Sequence, residues 1–264
     1  MLGSPIAHSK SPALQRAAYA ELGLDWSYDA IEVTSGGLGA FVEGLGDDWR
    51  GLSLTMPLKR EALPLLATID STSELTGGAN TVVFEGSRLH GFNTDVFGIV
   101  AALGAAGVGS LTTVRILGGG ATASSALVAA AQLGARSAVL AVRSPDRIGS
   151  LVAIAEQLDV DLRVETLGAF ETPAPAVTIS TLPNDVDLAA RIEPAGLLFD
   201  VAYEPWPTSL AADWLAAGLP VVSGLEMLAW QALAQVRAFV SGSPHEELPG
   251  EASVFAAMRA AVGL

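Results

Sequence analysis

The stretch from Thr113 to Gly134 constrains this chain more than any other. Five strand-forming residues (Thr113 to Leu117) run into three consecutive glycines, then an Ala-rich apolar run from Ala121 to Leu133, with a stop at Gly134. A strand that turns within three residues into a helix reaches its next parallel strand by a crossover, so a strand–helix–strand unit is predicted. Gly118, Gly120 and Ala123 stand at the first, third and sixth positions of a dinucleotide-binding turn. Gly118 permits the tight turn, Gly120 lets a pyrophosphate approach the main chain, and Ala123 is small enough for close helix packing. The free N–H groups at the helix start, Ala121 first among them, would face the phosphates. A glycine turn alone is common; here the strand before it and the helix after it make it specific.

The same rhythm continues. Ser137 to Val142 reads as the next strand and 145–158 as a helix. Later strands are expected at 161–166, 176–180, 197–201 and 220–223. A long helix over 225–240 places Leu225, Leu228, Ala232, Val236 and Phe239 near one side. Such alternation gives a parallel sheet. At the end of the second strand of such a unit, a carboxylate ordinarily meets the ribose hydroxyls of an unphosphorylated nicotinamide dinucleotide. Arg143 stands there instead, followed by Ser144 and Arg147. A guanidinium grips a 2′-phosphate through paired donors, so NADP(H) is expected in preference to NAD(H).

The first hundred residues alternate strands and helices too. A helix is predicted over 12–22, a strand over 27–33, a weak helix over 37–45 and a short strand over 51–55. A further helix starts at Pro57 and buries Leu58, Ala62, Leu65 and Leu66; strands at 80–84 and 88–92 are joined by a turn at Glu85 and Gly86. A helical run over 96–107 and the loop through Ser110 mark a domain boundary, where a ligand-binding cleft is expected. A last helix over 251–262 carries Phe255 and Met258, which need a partner and are expected to find it in the first domain.

Composition narrows the function. A chain of 264 residues can form one large domain or two modest ones. With 14 Lys and Arg against 28 Asp and Glu, the net charge of -14 opposes a polyanionic partner, so neither nucleic acid nor membrane is expected. There is no cysteine, and the three histidines are far apart in the sequence, so no metal site is expected. Apolar runs are broken by Gly, Pro or charge, and the start lacks the features of a signal peptide; a cytoplasmic protein is the expectation.

Three polar clusters in the first half are candidates to carry chemistry. The chain uses arginine for nearly every cation; Lys10 and Lys59 are its only lysines. In Ser4–Pro12, Ser9 and Ser11 lie two apart ahead of a helix, where hydroxyls and free N–H groups can receive a carboxylate, although capping needs only one of them. In Gly51–Lys59, Thr55 ends a strand and Lys59 lies just inside a helix, against the preference of the macrodipole. In Gly77–Gly98, Asn80 follows a small-residue turn and Asp95 precedes a helix that it can cap; satisfaction of local backbone would also account for both.

With these clusters in view, the sequence resembles shikimate dehydrogenases along almost its whole length. The resemblance rests on Ser9–Pro12 (SKSP), Thr55–Lys59 (TMPLK), Gly78–Thr81 (GANT), Gly91–Gly98 (GFNTDVFG), the turn Gly118–Ala123, Asp200–Leu210 (DVAYEPWPTSL) and Gly224–Gln231 (GLEMLAWQ). It implies an α/β chain of two domains with a cleft between them. A substrate domain with a mixed sheet would span 1–100, a Rossmann-like NADP domain 101–240, and the segment 241–264 would pack back onto the first. It implies reversible reduction of 3-dehydroshikimate to shikimate with NADPH, by a monomer or homodimer. By resemblance, Ser9 and Ser11 hold the substrate carboxylate. Thr55, Lys59, Asn80, Asp95 and Gln231 meet the ring hydroxyls and the reacting carbonyl, with Lys59 and Asp95 catalytic, and Tyr203 lines the cleft. Gly224 lies beside the nicotinamide and Met227 forms part of its packing surface.

Departures from the family pattern are local. Ser53 stands where Asn is common, Ala121 where a further glycine is common, and Val142 where Asn often precedes Arg143. Only Met1 and Leu2 precede the segment matching Gly3, so the first domain is expected to lack part of a central strand. The nearest rival reading is a quinate/shikimate dehydrogenase using NAD(H); others are a non-catalytic ligand sensor of the same fold and an α/β interaction protein. Arg143 and the serine pair argue against the first, and the presence of Lys59 and Asp95 against the second. The interaction protein must dismiss the glycine turn.

Overall fold

The computed structural model describes every residue except 185, 187, 189 and 190. The first part of the chain forms β1 (Leu2–Gly3), α1 (Ser11–Glu21), β2 (Ile31–Glu32), α2 (Leu38–Glu43), β3 (Gly51–Ser53), α3 (Leu58–Glu61), β4 (Thr68–Ile69), α4 (Ser71–Thr76), β5 (Thr81–Glu85) and β6 (Arg88–Phe92). Then α5 (Asp95–Ala105) leads into β7 (Thr113–Leu117), α6 (Ala121–Gln132), β8 (Ser137–Val142), α7 (Gly149–Gln157), β9 (Asp161–Thr166), β10 (Val177–Ser180), β11 (Leu197–Asp200), α8 (Ser209–Ala216) and β12 (Val221–Ser223). The helices α9 (Gly224–Ser241) and α10 (Glu251–Ala260) complete the chain. It divides into two units, Met1–Gly98 with Leu228–Leu264, and Ile99–Met227.

In the first unit, β3, β5, β6 and β4 form a mixed sheet in that order, with β5 antiparallel to both neighbours and β4 parallel to β6. The two-residue β1 pairs in parallel with β2 and bridges to Leu54 through Leu2, which is fully buried. The strand expected over 27–33 is reduced to Ile31–Glu32, in register with Leu2 and Gly3. Residues before it are held by packing instead: the Trp26 and Tyr28 rings lie 5.4 and 6.4 Å from that of Tyr19 on α1. The main core gathers Leu14 and Ala18 of α1, Ala232, Val236 and Phe239 of α9, and Met258 of α10. Burying a side chain such as Met258 contributes about 1.5–3 kcal/mol. The limits implied by the resemblance put residues 228–240 in the second domain; Ala229, Ala232, Leu233 and Val236 instead pack in this core.

The second unit is a six-stranded parallel sheet in the order β12-β11-β10-β7-β8-β9. The chain winds outward from β7 through β8 to β9, then resumes on the other side of β7 with β10. The ends of β7 and β10 therefore flank a topological switch point, where ligands of such sheets bind. Ala123, Ala126, Ala129 and Ala130 on α6 are all fully buried, and such small side chains suit close packing.

The crossover from β9 to β10 has no helix, and its backbone is satisfied by two buried charges. Arg115 on β7 donates to the Thr172 carbonyl at 2.7 Å and stacks over Phe170, while Glu165 on β9 accepts the N–H groups of Thr172 and Glu171 at 2.8 and 3.2 Å. Isolated charges would be costly here; hydrogen bonding and mutual compensation make the burial tolerable.

Candidate active site

A cluster of polar side chains is built into the first unit from four segments. Lys59 lies on α3, whose entry is set by Thr55: the Leu58 N–H donates to the Thr55 carbonyl at 2.8 Å, and the Thr55 N–H to Leu2 at 2.9 Å. The helix spans only Leu58–Glu61, so the dipole argument applied to Lys59 has little force: a single turn sums few peptide dipoles. What compensates the ammonium is Asp95, whose Oδ2 lies 2.5 Å from Nζ, with side-chain exposures of 13% for Lys59 and 6% for Asp95. An ammonium has three donors, and this carboxylate takes one of them.

Asp95 is not consumed by capping. The side-chain oxygen of Asn93 accepts the Asp95 N–H at 3.0 Å at the start of α5, leaving the carboxylate to Lys59 and Asn80. Asn93 also donates to Thr76 Oγ1 and the Gly78 carbonyl, both at 2.9 Å, anchoring this loop to the turn before Asn80. Asn80 is fixed through both ends of its amide. Its Nδ2 donates to Asp95 Oδ1 at 2.8 Å, with Thr94 Oγ1 at 2.9 Å and Gln231 Oε1 at 3.3 Å also in reach. Its Oδ1 accepts the Thr94 N–H at 2.9 Å and the Thr81 hydroxyl at 2.8 Å. The two alternatives for Asn80, local backbone and a wider cluster, are thus both realised. Gln231, on α9, donates in turn to the Leu228 carbonyl at 3.0 Å.

Lys59, Asn80, Asp95 and Gln231 therefore form one hydrogen-bonded group. The serine pair stands apart from it. Ser9 Oγ accepts the Ser11 N–H at 3.2 Å and donates to the Met1 sulfur at 2.7 Å, while Ser11 is almost fully buried. Ser9 thus meets the local backbone need and Ser11 is not required for it. Among the described residues, no hydrogen bond joins Ser9, Ser11 or the Thr55 side chain to the Lys59 group.

Sequence reasoning missed a second layer. Gln235 donates to the Asn80 carbonyl at 3.3 Å and accepts from Ser53 Oγ at 2.9 Å and Gln15 Nε2 at 3.2 Å. Ser53, noted only as a departure, is thus a member of this layer. The readable signal was Gln235 itself, four residues after Gln231 and thus on the same side of the helix, in the otherwise apolar run 227–236.

In the second unit, Gly118 has φ +104°, which favours glycine, and a Cβ there would lie 2.5 Å from Thr181 Oγ1. Gly120 is the N-cap of α6 and supplies no side-chain cap; open space lies where its Cβ would be. The N–H groups of the first turn, from Ala121 to the fully buried Ala123, are therefore available to an anion. Arg143, Ser144 and Arg147 follow β8 and are exposed. Neither guanidinium forms an ion pair among the described residues. This donor set fits a phosphorylated dinucleotide: a glycine with room for phosphate, unpaired helix-start donors, and two cations after the second strand. Met227 is buried and Tyr203 half-buried. Gly224 has a structural reason of its own, since a Cβ would lie 1.9 Å from the Val201 carbonyl oxygen.

Among the described residues, no three His, Asp or Glu side chains gather to hold a metal ion, and no helix is long and apolar enough to cross a membrane.

Residues 1–82 match the family described as the shikimate dehydrogenase substrate binding domain. Over 265 residues the chain is 34% identical to a shikimate dehydrogenase (NADP(+)) of Citrifermentans bemidjiense, covering 93% of this chain and 90% of that one. The crystal structure of Mycobacterium tuberculosis shikimate dehydrogenase superposes with a TM-score of 0.87 and 38% identity, over 98% of this chain and 97% of the other. A shikimate 5-dehydrogenase of Thermus thermophilus, solved in complex with NADP(H) and shikimate, gives a TM-score of 0.80 and 29% identity over 98% and 97% of the two chains. On the strength of this identity along nearly its full length, the chain belongs to the shikimate dehydrogenase family.

Proposed function

We propose that this chain is an NADP-dependent oxidoreductase acting on a CH–OH group, a shikimate dehydrogenase that reversibly reduces 3-dehydroshikimate to shikimate. The observation that carries the reading is the buried Lys59–Asp95 pair braced by Asn80 and Gln231. Its members Lys59 and Asn80 lie within the stretch that matches the substrate-binding family. In this reading the unit of residues 1–98 and 228–264 holds the substrate and residues 99–227 hold the cofactor.

NADPH, when bound, supplies the hydride that reduces the carbonyl carbon. Lys59 stabilises the negative charge that grows on the carbonyl oxygen and gives it a proton. Asp95 orients the ammonium and accepts from a neighbouring substrate hydroxyl. In the oxidative direction a deprotonated group at the same place removes the alcohol proton. Thr55, Asn80 and Gln231 meet ring hydroxyls, Ser9 and Ser11 receive the carboxylate, and Tyr203 touches the substrate. Gly118, Gly120, Ala121 and Ala123 form the pyrophosphate turn. Arg143, Ser144 and Arg147 take the 2′-phosphate, and Gly224 and Met227 border the nicotinamide. The chain acts on a small molecule as a monomer or homodimer, with neither nucleic acid nor membrane as partner, and is assigned to the cytoplasm.

The test follows nicotinamide absorbance with 3-dehydroshikimate, shikimate and quinate, each paired with both cofactors. The highest kcat/KM is expected for 3-dehydroshikimate with NADPH. Comparable oxidation of quinate with NAD⁺ would overturn the assignment.

A further inference from the structure

We infer that Asp200 is a positioning residue whose buried carboxylate ties together both ends of the 201–208 loop and thereby sets where Tyr203 stands. The inference deepens the proposed function and rests on its assignment of Tyr203 to the substrate. Asp200 ends β11, in register with Ser180 of β10 and Ser223 of β12, and is 2% exposed. Its Oδ1 accepts the Ala202 N–H at 3.3 Å, at the beginning of the loop. Its Oδ2 accepts the Thr208 hydroxyl at 2.6 Å, at the loop's last residue. The Thr208 oxygen in turn accepts the Ala211 N–H at 3.0 Å as the N-cap of α8. The chain thus leaves the sheet at one carboxylate and returns to the same carboxylate before entering the helix. From a third side, Asn184 donates its amide to the Glu204 carbonyl.

A strand of Leu197, Leu198 and Phe199 has no packing need for a charge at its end, where an apolar side chain would bury without desolvation cost. Burial pushes the Asp200 carboxyl above its ordinary value, and the hydrogen bonds from Thr208, Ala202 and Ser180 offset only part of that. The carboxylate is therefore retained at a cost, and what it does locally is hold the loop. An asparagine could not replace it cleanly. With its oxygen toward Ala202, its NH2 would face the Thr208 oxygen and leave the hydroxyl proton without its acceptor.

The experiment compares Asp200→Asn, Thr208→Val, Thr208→Ser and Tyr203→Phe by steady-state oxidation of shikimate with NADP⁺, alongside thermal unfolding. Asp200→Asn and Thr208→Val are expected to raise KM for shikimate by about tenfold, more than they lower kcat, and Thr208→Ser to keep the wild-type KM. A role in capping α8 alone would lower the thermal midpoint of Thr208→Val and leave KM where it was, which would overturn the inference. Should Asp200→Asn fail to fold, the Thr208→Val and Thr208→Ser pair decides. A raised KM in Tyr203→Phe with KM unchanged in Asp200→Asn and Thr208→Val overturns the positioning role alone. An unchanged KM in Tyr203→Phe overturns the assignment of Tyr203 to the substrate, and the inference with it.

Discussion

Replacing Asp95 with Asn keeps the shape of the side chain and removes its charge. Two donors converge on the native carboxylate: Lys59 Nζ at 2.5 Å from Oδ2 and Asn80 Nδ2 at 2.8 Å from Oδ1. An amide offers one acceptor oxygen, so in either orientation one of those donors faces an NH2 group. With side-chain exposures of 13% at Lys59 and 6% at residue 95, water can replace only part of what is lost. Removing one partner of a buried ion pair costs about 3–5 kcal/mol, and the residual exposure of Lys59 argues for the lower end, about 3 kcal/mol. That energy corresponds to about 10²-fold in rate if it is felt in the transition state. Impaired proton transfer would add to it, so kcat for 3-dehydroshikimate reduction is expected to fall by about 10²–10⁴-fold. The thermal midpoint is expected to drop by about 6–12 °C. The assay is NADPH consumption by absorbance on protein shown to be folded by circular dichroism. A variant within about threefold of wild-type kcat would refute the reasoning.

Other predictions concern binding and acid stability. Arg143→Ala is expected to lower the preference for NADPH over NADH by about 10–100-fold in kcat/KM, as for loss of charge-assisted hydrogen bonds; an unchanged ratio excludes it as the phosphate clamp. Ser11→Ala should raise KM for 3-dehydroshikimate by about tenfold with little change in kcat, and a fall in kcat at constant KM contradicts the carboxylate role. At Glu165, burial alone would raise the carboxyl, but hydrogen bonds from Thr172 and Glu171 with the Arg115 charge outweigh it and hold the group below its ordinary 4.5. A carboxyl held low in the folded state stabilises fully above the unfolded-state value, and that stabilisation is lost as pH falls through the folded one. Glu165→Gln should therefore flatten the decline of the thermal midpoint below about pH 4.5. An unchanged acid slope would remove Glu165 from the account.

The second half of the chain was the more legible, for a physical reason. In a parallel sheet buried on both faces, strands are short apolar runs, and around the glycine turn they are separated by α6 and α7, so Thr113–Leu117 and Ser137–Val142 were found with their observed limits. Two helices went unread. The polar α4 is started by the Asp70 side chain rather than by an apolar stripe, and α8, with Leu210, Ala211 and Trp214 buried, lies between proline-rich loop and strand. In the first half, edge pairing depended on β1, whose length no local pattern reports. At the candidate site, residue types and resemblance located Lys59, Asn80, Asp95 and Gln231, but their meeting depends on contacts spanning up to 151 residues. Local reasoning also misread two of them. The dipole at Lys59 belongs to a single turn, and the cap attributed to Asp95 is supplied by Asn93.

The central claim is that the Lys59 ammonium acts on the reacting oxygen. It is tested most directly by single-turnover reduction of 3-dehydroshikimate in Lys59→Ala protein preloaded with NADPH, with binding of both ligands measured separately. The account predicts that both still bind while the rate of NADPH oxidation falls by about 10²–10⁴-fold. A single-turnover rate equal to that of the wild type, with both ligands bound, would contradict it.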